Sequence, residues 1–220
     1  LDSVFIEMNV SIDHMIENLV TDEEKFNEIT GYLFNLLEQR SLFGASEYLA
    51  LKVLNEVSCT IDNDLAAQLE SYRAMKIGNT ASDFDFPRDW FAPGYQGNET
   101  PKKLSDLKSK YTLVVFAAGW CPACPGELSQ MAGLYETWRR YGVEVVLVSL
   151  DEDKQAFRNF AGGFPFISIS DYQKWDSPVV KAYHVFATPT MYLLDNKQEI
   201  LLRPNSVRQM DAWVDWFLVQ

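Results

Sequence analysis

The chain is poor in cysteine and histidine and has no long apolar run. Its 220 residues include three Cys and two His, which excludes a fold stapled by several disulfides and makes a four-ligand structural zinc site difficult to assemble. No run of about 18 apolar residues occurs, so no segment is predicted to span a membrane. The first residues lack the features of a signal peptide. Because the chain begins with Leu1, we expect a trimmed or mature chain whose missing start carried the targeting signal.

Positive charge is also scarce. The chain has 31 acidic and 19 basic side chains, a formal net charge of −12. Such a chain repels phosphate backbones, which excludes nucleic acid as a partner. The charge is uneven, because residues 1–77 carry 14 acidic and 5 basic side chains and residues 78–220 carry 17 and 14. This asymmetry predicts two units with a boundary near Gly78.

Residues 1–77 are predicted to form an all-helical N-terminal region. A second helix is expected to begin at a capping box in which the Thr21 hydroxyl accepts from the N–H of Glu24. Two further helices are predicted over 47–57 and 65–75, with Gly78 as a stop signal. The apolar faces expected for the first two helices are Ile6, Val10, His14, Met15 and Leu19, then Phe26, Ile29, Leu33, Leu36 and Leu37.

Strands and helices alternate in residues 78–220. A loop rich in Pro and Gly over 81–101 is predicted to hold one short strand at 84–86. Further strands are expected over 111–118, 143–150, 190–194 and 199–203, and helices over 122–141, 154–160, 178–183 and 207–219. The order predicts an α/β fold, with a central mixed sheet and helices on both faces.

A single C-x-x-C pair, Cys121 and Cys124, lies where a buried strand is predicted to end and a helix to begin. A thiolate at a helix N-terminus is stabilised by unpaired N–H groups and by the helix dipole. We therefore expect redox chemistry, with Cys121 as the exposed attacking thiol and Cys124 as the shielded resolving thiol. The alternatives are half of a metal site or a chance pair. Haem attachment is excluded, because the pair is followed by Pro125.

Each cysteine of this pair is directly followed by a proline. Pro122 is suited to the first helical position, where its missing N–H is not needed. Pro125 is less usual, because with Cys121 as the N-cap it would remove the bond to the Cys121 carbonyl. A kinked or loosened first turn is therefore predicted.

Residues 78–220 resemble the thioredoxin superfamily, and within it the TlpA/ResA-like thiol-disulfide oxidoreductases of the bacterial cell envelope. The resemblance rests on the W-C-x-x-C sequence at 120–124 and on Ala187-Thr188-Pro189-Thr190, which matches the family's second signature. It implies a thioredoxin-like fold in which the Thr188–Pro189 bond is cis and lies against the cysteines. The backbone of Thr188 would then be offered to the substrate.

The resemblance also implies roles for other residues. Glu127 matches a glutamate that assists proton transfer in ResA-like members, and a carboxylate one helical turn after Cys124 can approach its thiol. An ordinary surface glutamate favoured by the helix dipole is the alternative. Val115 occupies the position of a buried Asp in plain thioredoxins, which fits the TlpA/ResA branch. The expected substrate-binding residues are Trp120, Pro122, Ala123, Thr188 and Pro189.

The predicted activity is disulfide reduction in the bacterial periplasm or cell envelope, with anchoring through a segment absent from this chain. The expected partners are protein disulfide substrates and a membrane electron donor of the DsbD/CcdA kind. No cofactor is expected, because the Cys121–Cys124 redox disulfide would itself carry the electrons. Three alternatives remain: a disulfide oxidase or isomerase, a peroxide reductase suggested by the loop at 84–87, and a binding module without catalysis. Peroxide chemistry is disfavoured, because it requires Thr or Ser where this chain has Ala118.

The remaining predictions concern residues outside these motifs. The helical region is expected to serve partner or substrate selection, dimerisation or placement of the active site, and these roles stay open. Cys59 is interpreted as a small buried apolar residue. The acidic triplet at 151–153 is interpreted as a cap for the helix that begins near Lys154.

Overall fold

The computed structural model describes residues 2–40, 42–57, 61–87, 90–97 and 100–219. The chain divides into two compact units, residues 1–76 and residues 77–220. Cys59, interpreted above as a buried apolar residue, lies outside the described residues.

The first unit contains four helices among its described residues. They are α1 (Asp2–Leu19), α2 (Glu23–Gln39), α3 (Phe43–Glu56) and α4 (Asn63–Ala74). The N-cap of α2 is Asp22 rather than the predicted Thr21, and its carboxylate accepts from the N–H of Lys25 at 3.3 Å. The prediction was wrong by one residue, because a Thr and an Asp, both good caps, stand side by side.

The helical unit has its own apolar core, and its faces differ in part from the prediction. Val10 and Ile29 are 48% and 37% exposed, and the His14 side chain also faces solvent. The buried stripe of α1 instead follows Ile12 and Ile16, one helical turn apart. The buried apolar residues of this core are Ile12, Ile16, Phe26, Phe34, Leu37, Ala45, Leu49, Ala50, Val53, Leu65 and Leu69.

The second unit is built on a six-stranded mixed sheet with the order β1-β4-β3-β2-β5-β6. The strands are β1 (Trp90–Phe91), β2 (Tyr111–Ala117), β3 (Val143–Ser149), β4 (Ile167–Ile169), β5 (Thr190–Asp195) and β6 (Ile200–Leu202). Strands β2, β3 and β4 are parallel, whereas β1, β5 and β6 pair antiparallel to their neighbours. The predicted mixed sheet is confirmed.

Two short strands were not predicted at their observed positions. β4 was not predicted, and the first strand lies at 90–91 rather than at 84–86. In the latter segment only Asp85 forms an isolated bridge, with Lys103. Two or three residues are too few to show a period of two, so these strands are defined by their neighbours in the sheet.

Helices cover both faces of the sheet. On one face, α5 (Cys124–Arg140), α6 (Lys154–Ala161) and α8 (Val207–Phe217) contribute to one core with β2 and β3. On the other, Tyr183, which follows α7 (Pro178–Ala182), packs against Phe116 and Tyr192. Burial on both faces explains why β2 and β3 are nearly continuous apolar runs.

The topology brings three segments to one edge of the sheet. β2 and β3 are parallel, so the turn after Ala117 and the segment after Ser149 leave at the same edge. β5 is antiparallel to β2, and Phe116 pairs with Thr190 at the start of β5. The C-x-x-C pair, the residues after β3 and Pro189 therefore meet at this edge.

Candidate active site

Helix α5 begins later than predicted. Its first residue is Cys124 and its N-cap is Ala123. The preceding residues form a turn in which the N–H of Cys124 donates to the carbonyl of Cys121 at 3.3 Å. Pro122 therefore precedes the helix, whereas Pro125 lies in its first turn, where the missing N–H is not required. The predicted irregularity thus falls on residues 121–123, before the helix.

Cys121 and Cys124 are joined by a disulfide, with their Cα atoms 5.5 Å apart. Cys124 is fully buried and Cys121 is only 3% exposed. The expectation of an exposed Cys121 was therefore wrong, because its sulfur is bonded to Cys124 and faces the backbone of Thr188. The exposed groups are its neighbours Pro122 and Ala123.

The second signature lies directly against the first cysteine. The Thr188–Pro189 bond is cis, as the resemblance implied. The sulfur of Cys121 lies 3.3 Å from the carbonyl oxygen of Thr188. In the dithiol state the Cys121 S–H can donate a hydrogen bond to this oxygen. Two segments separated by 67 residues thus form one site.

Glu127 makes a contact that the sequence did not predict. Its side chain is half-buried, and its Oε2 atom accepts a hydrogen bond from the N–H of Val207 at 2.6 Å. Val207 is the first residue of α8, where N–H groups lack intrahelical partners and favour a negative charge. Glu127 therefore connects α5 to the start of α8, and its role in proton transfer stays a prediction.

Two residues of the acidic triplet after β3 make different contacts. Asp153 is the N-cap of α6 and accepts from the N–H groups of Gln155 and Ala156, which confirms the predicted cap. Asp151 is only 2% exposed and accepts from the N–H of Gly119 at 3.1 Å. The sequence could have revealed the role of Asp151 through its position, because it follows a buried parallel strand that ends at the same edge of the sheet as the cysteines.

Two exposed aromatic residues stand next to the two signatures in the chain, Trp120 directly before Cys121 and Phe186 three residues before Pro189, and we call them the exposed rim. Trp120 is 46% exposed and Phe186 is 54% exposed. The Trp120 ring lies 5.9 Å from that of Trp175 and 5.4 Å from the Lys174 ammonium. Lys174 also forms a 3.1 Å ion pair with Glu152. Of these residues, the sequence analysis singled out Trp120 for the substrate surface.

The second unit matches a known protein family. Residues 77–203 match the model of the AhpC/TSA family, which is more than half of the chain. The chain belongs to the AhpC/TSA family. The match covers the sheet, both cysteines and the cis-proline loop, and it leaves the helical unit outside.

Curated relatives in this family carry the name of a redox enzyme. The chain is 32% identical over 129 residues to thiol-disulfide oxidoreductase ResA of Geobacillus kaustophilus, covering 58% of this chain and 68% of the relative. It is 33% identical over 117 residues to the ResA of Bacillus subtilis, covering 50% of this chain and 63% of the relative. These matches and the paired cysteines identify a thiol-disulfide oxidoreductase of the thioredoxin-like class.

Solved structures share the fold. A thioredoxin-like protein from Bacteroides caccae matches with a TM-score of 0.66 at 18% identity, over 97% of this chain and 78% of that one. A protein from Chlorobium tepidum, given the provisional name thiol:disulfide interchange protein DsbE, matches with a TM-score of 0.51 at 25% identity, over 66% of this chain and 95% of that one. The predicted thioredoxin-like fold is confirmed.

The described residues contain neither a cluster of metal ligands nor a helix suited to span a membrane. No group of three or more His, Cys, Asp and Glu side chains in these residues is arranged to hold a metal ion. Within the same residues, no helix combines the length and apolar character that a membrane span requires.

Proposed function

We propose that this protein is a protein disulfide reductase of the bacterial cell envelope, in which Cys121 attacks and Cys124 resolves. The observation that carries the proposal is the position of the Cys121 sulfur, 3.3 Å from the Thr188 carbonyl and at the entrance to α5. Substrate disulfides can approach this sulfur over the exposed residues beside it. The ResA relatives, named thiol-disulfide oxidoreductases, support the same chemistry.

The proposed reaction has two exchange steps. The Cys121 thiolate attacks one sulfur of a substrate disulfide, forms a mixed disulfide and releases the other substrate sulfur as a thiolate. Cys124, as a thiolate, then attacks the Cys121 sulfur and releases the second substrate thiolate. The substrate is thereby reduced to two thiols, while two electrons leave the protein and its internal disulfide forms.

The order of the two cysteines follows from their surroundings. Both cysteines belong to the core of the second unit, but Cys124 is fully buried whereas Cys121 keeps 3% exposure, so a substrate reaches the Cys121 sulfur more easily. Cys121 precedes the helix and is flanked by Trp120 and Pro122, both exposed. The positive end of the α5 dipole favours a thiolate at this position.

The substrate surface is proposed from the two signatures. Trp120, Pro122 and Ala123 would contact the substrate on one side of the disulfide, and Thr188 and Pro189 on the other. Because Thr188 presents backbone to the Cys121 sulfur, an extended substrate segment can lie along it. Protein disulfides are therefore the proposed substrate class.

Glu127 is the proposed proton carrier for Cys124. It stands three residues further along α5, and its half-buried carboxylate can take the thiol proton that resolution requires. The bond to Val207 uses Oε2, so Oε1 is the atom proposed to serve the thiol. The bond would hold the carboxylate in place while the proton moves.

The cycle requires a reductant that restores the dithiol. A membrane dithiol donor of the DsbD/CcdA kind is proposed, in agreement with the proposed location in the periplasm or cell envelope. The helical unit is proposed to select substrates or to form a homodimer. Its surface is markedly acidic, as residues 1–77 carry 14 acidic and 5 basic side chains.

The reduction potential of the cysteine pair tests this direction. The protein would be equilibrated with glutathione or dithiothreitol, and thiol alkylation would report the oxidised fraction. A value below about −220 mV supports a reductase, because thioredoxin lies near −270 mV. A value near about −120 mV, as in DsbA, would make the protein a disulfide-forming oxidase. A pair that never forms an internal disulfide would favour the binding-module alternative.

A further inference from the structure

We propose that Asp151 is a positioning residue for the redox cysteines and acts through the backbone N–H of Gly119. The inference rests on the proposed function, because it assigns Asp151 a part in controlling the same disulfide. It replaces the interpretation of this residue as part of a helix cap, a role that Asp153 fills.

The contact joins a buried carboxylate, that of Asp151, to the backbone of the exposed residue Gly119. The two carboxylate oxygens lie 3.1 and 3.3 Å from the Gly119 nitrogen, and Asp151 is only 2% exposed. A hydrogen bond to an ionised acceptor is about twice as strong as a neutral one. The bond therefore fixes the backbone of the turn between β2 and the cysteines.

The carboxylate is itself held in place by Ser149. The Ser149 hydroxyl donates to Oδ2 at 2.7 Å, and the Asp151 N–H donates to the Ser149 hydroxyl oxygen at 3.2 Å. The Ser170 hydroxyl lies 3.0 and 3.3 Å from the backbone carbonyl oxygens of Ser149 and Asp151, so it holds the backbone of this segment. A buried carboxylate is unfavourable unless it is hydrogen-bonded, and here Ser149 and the Gly119 N–H supply the partners.

Gly119 is exposed on one side and lies against Asp151 and Phe160 on the other. A Cβ atom added there would lie 3.2 Å from the Phe160 Cβ and 3.3 Å from Oδ1 of Asp151. The following turn is closed by the Cys121 N–H, which donates to the Ala118 carbonyl at 3.2 Å. Two residues of chain span at most about 7 Å, so any shift of Gly119 is passed to Cys121.

The position of Cys121 controls the stability of the internal disulfide. Formation of this bond depends on how often the two thiols meet in bonding geometry, that is, on their effective concentration. A turn released from Asp151 samples more conformations and lowers that concentration. The disulfide of a variant without this contact is therefore easier to reduce.

The test compares Asp151→Ala with Asp151→Asn by redox equilibrium with glutathione. Alanine removes the acceptor, and we expect the equilibrium constant for disulfide formation to fall about tenfold, or about 30 mV for a two-electron couple. Asparagine keeps an oxygen acceptor for Gly119 without the charge, and because the neutral bond is about half as strong we expect a smaller fall, of about threefold.

A matched control is available at the opposite end of β3. Glu144 is also a buried carboxylate, bonded to the Tyr135 hydroxyl and to the Val145 N–H. We expect Glu144→Ala to lower the melting temperature without changing the redox equilibrium. If Asp151→Ala does not fold, Ser149→Ala weakens the same carboxylate anchor more gently, and a smaller change in the same direction is expected.

The outcomes separate this inference from the proposed function. An unchanged equilibrium in Asp151→Ala, or in Ser149→Ala where the first variant does not fold, overturns the positioning role. An Asp151→Asn variant as impaired as Asp151→Ala also overturns it, since the acceptor oxygen kept for Gly119 would then have no effect. Insulin reduction by the wild type is measured in parallel. Its absence would contradict the reductase proposal but would leave the equilibrium test of Asp151 intact.

Discussion

The sulfur of Cys121 and the carbonyl oxygen of Thr188 lie 3.3 Å apart, although 67 residues separate them in the chain. The contact exists because β5 runs antiparallel to β2 and starts beside its end. It places a hydrogen-bond acceptor next to the proposed nucleophile. Substrate, nucleophile and acceptor can therefore meet at one point on the sheet edge.

The first prediction concerns the order of the two cysteines. A Cys124→Ser variant cannot resolve the mixed disulfide, so we expect it to accumulate adducts with protein disulfides. Cys121→Ser is the matched control, and it should trap at least about tenfold less, because the Cys124 sulfur that remains is shielded from substrates. Non-reducing electrophoresis with reduced variants and an oxidised protein substrate measures both. Equal trapping by the two variants would contradict the assigned order.

The second prediction concerns the exposed rim. Phe186 is 54% exposed beside the cis-proline loop, so we expect Phe186→Ser to raise the KM for protein substrates. Burial of a phenylalanine contributes about 1.5–3 kcal/mol, and partial burial against a substrate corresponds to about a tenfold effect. A small disulfide such as oxidised glutathione should be reduced at an unchanged rate.

Phe217→Ser is the control for this experiment. Phe217 is 63% exposed but lies at the end of α8, away from the cysteine motif in sequence. We expect the KM of this variant for protein substrates to equal that of the wild type. If both phenylalanine variants raise the KM equally, surface hydrophobicity in general, and not the rim, governs substrate binding.

Much of the second unit was predictable because its signals are local. β2 and β3 are apolar runs buried on both faces, and the C-x-x-C pair stands between a strand and a helix. The cis bond at Pro189 followed from resemblance alone. The two strands and the C-x-x-C pair are each encoded within about ten neighbouring residues, which is the range over which strand patterns and short motifs can be interpreted.

The contacts that were missed join distant segments of the chain. Glu127 caps Val207 across 80 residues, and Asp151 binds Gly119 across 32. A sequence pattern shows that a carboxylate exists but not which N–H it will meet. In the helical unit, the choice of Ile12 over Val10 as a core residue was likewise decided by the neighbouring helices.

The third prediction separates two roles of Glu127. Glu127→Ala removes the acceptor for the Val207 N–H, so we expect a loss of about 1 kcal/mol in the free energy of unfolding. Glu127→Gln keeps an acceptor and should retain most of that stability. If the carboxylate carries the thiol proton, glutamine should still slow the resolution of mixed disulfides, which rapid-quench kinetics measures.

Ser206→Ala provides the control for Glu127. Ser206 is the N-cap of α8 and accepts from the Gln209 N–H at 3.3 Å, so its loss weakens the same helix end without touching a carboxylate. We expect lower stability and unchanged exchange kinetics. A Glu127→Gln variant with wild-type exchange rates would eliminate the proton role and leave only the cap.

The last prediction uses the buried acid Glu144. Burial raises the pKa of this carboxyl, although hydrogen bonds from Tyr135 and Val145 oppose the shift. A raised pKa means that the folded state binds the proton more tightly than the unfolded state, so ionisation above the folded pKa destabilises the fold.

Glu144→Gln keeps the acceptor oxygen and cannot ionise. We therefore expect its melting temperature to exceed that of the wild type at pH 7, with the difference shrinking as the pH falls to about 4, near the ordinary glutamate pKa. Thermal unfolding of both proteins across this range measures the difference, and a difference independent of pH would show that Glu144 titrates alike in the folded and unfolded states.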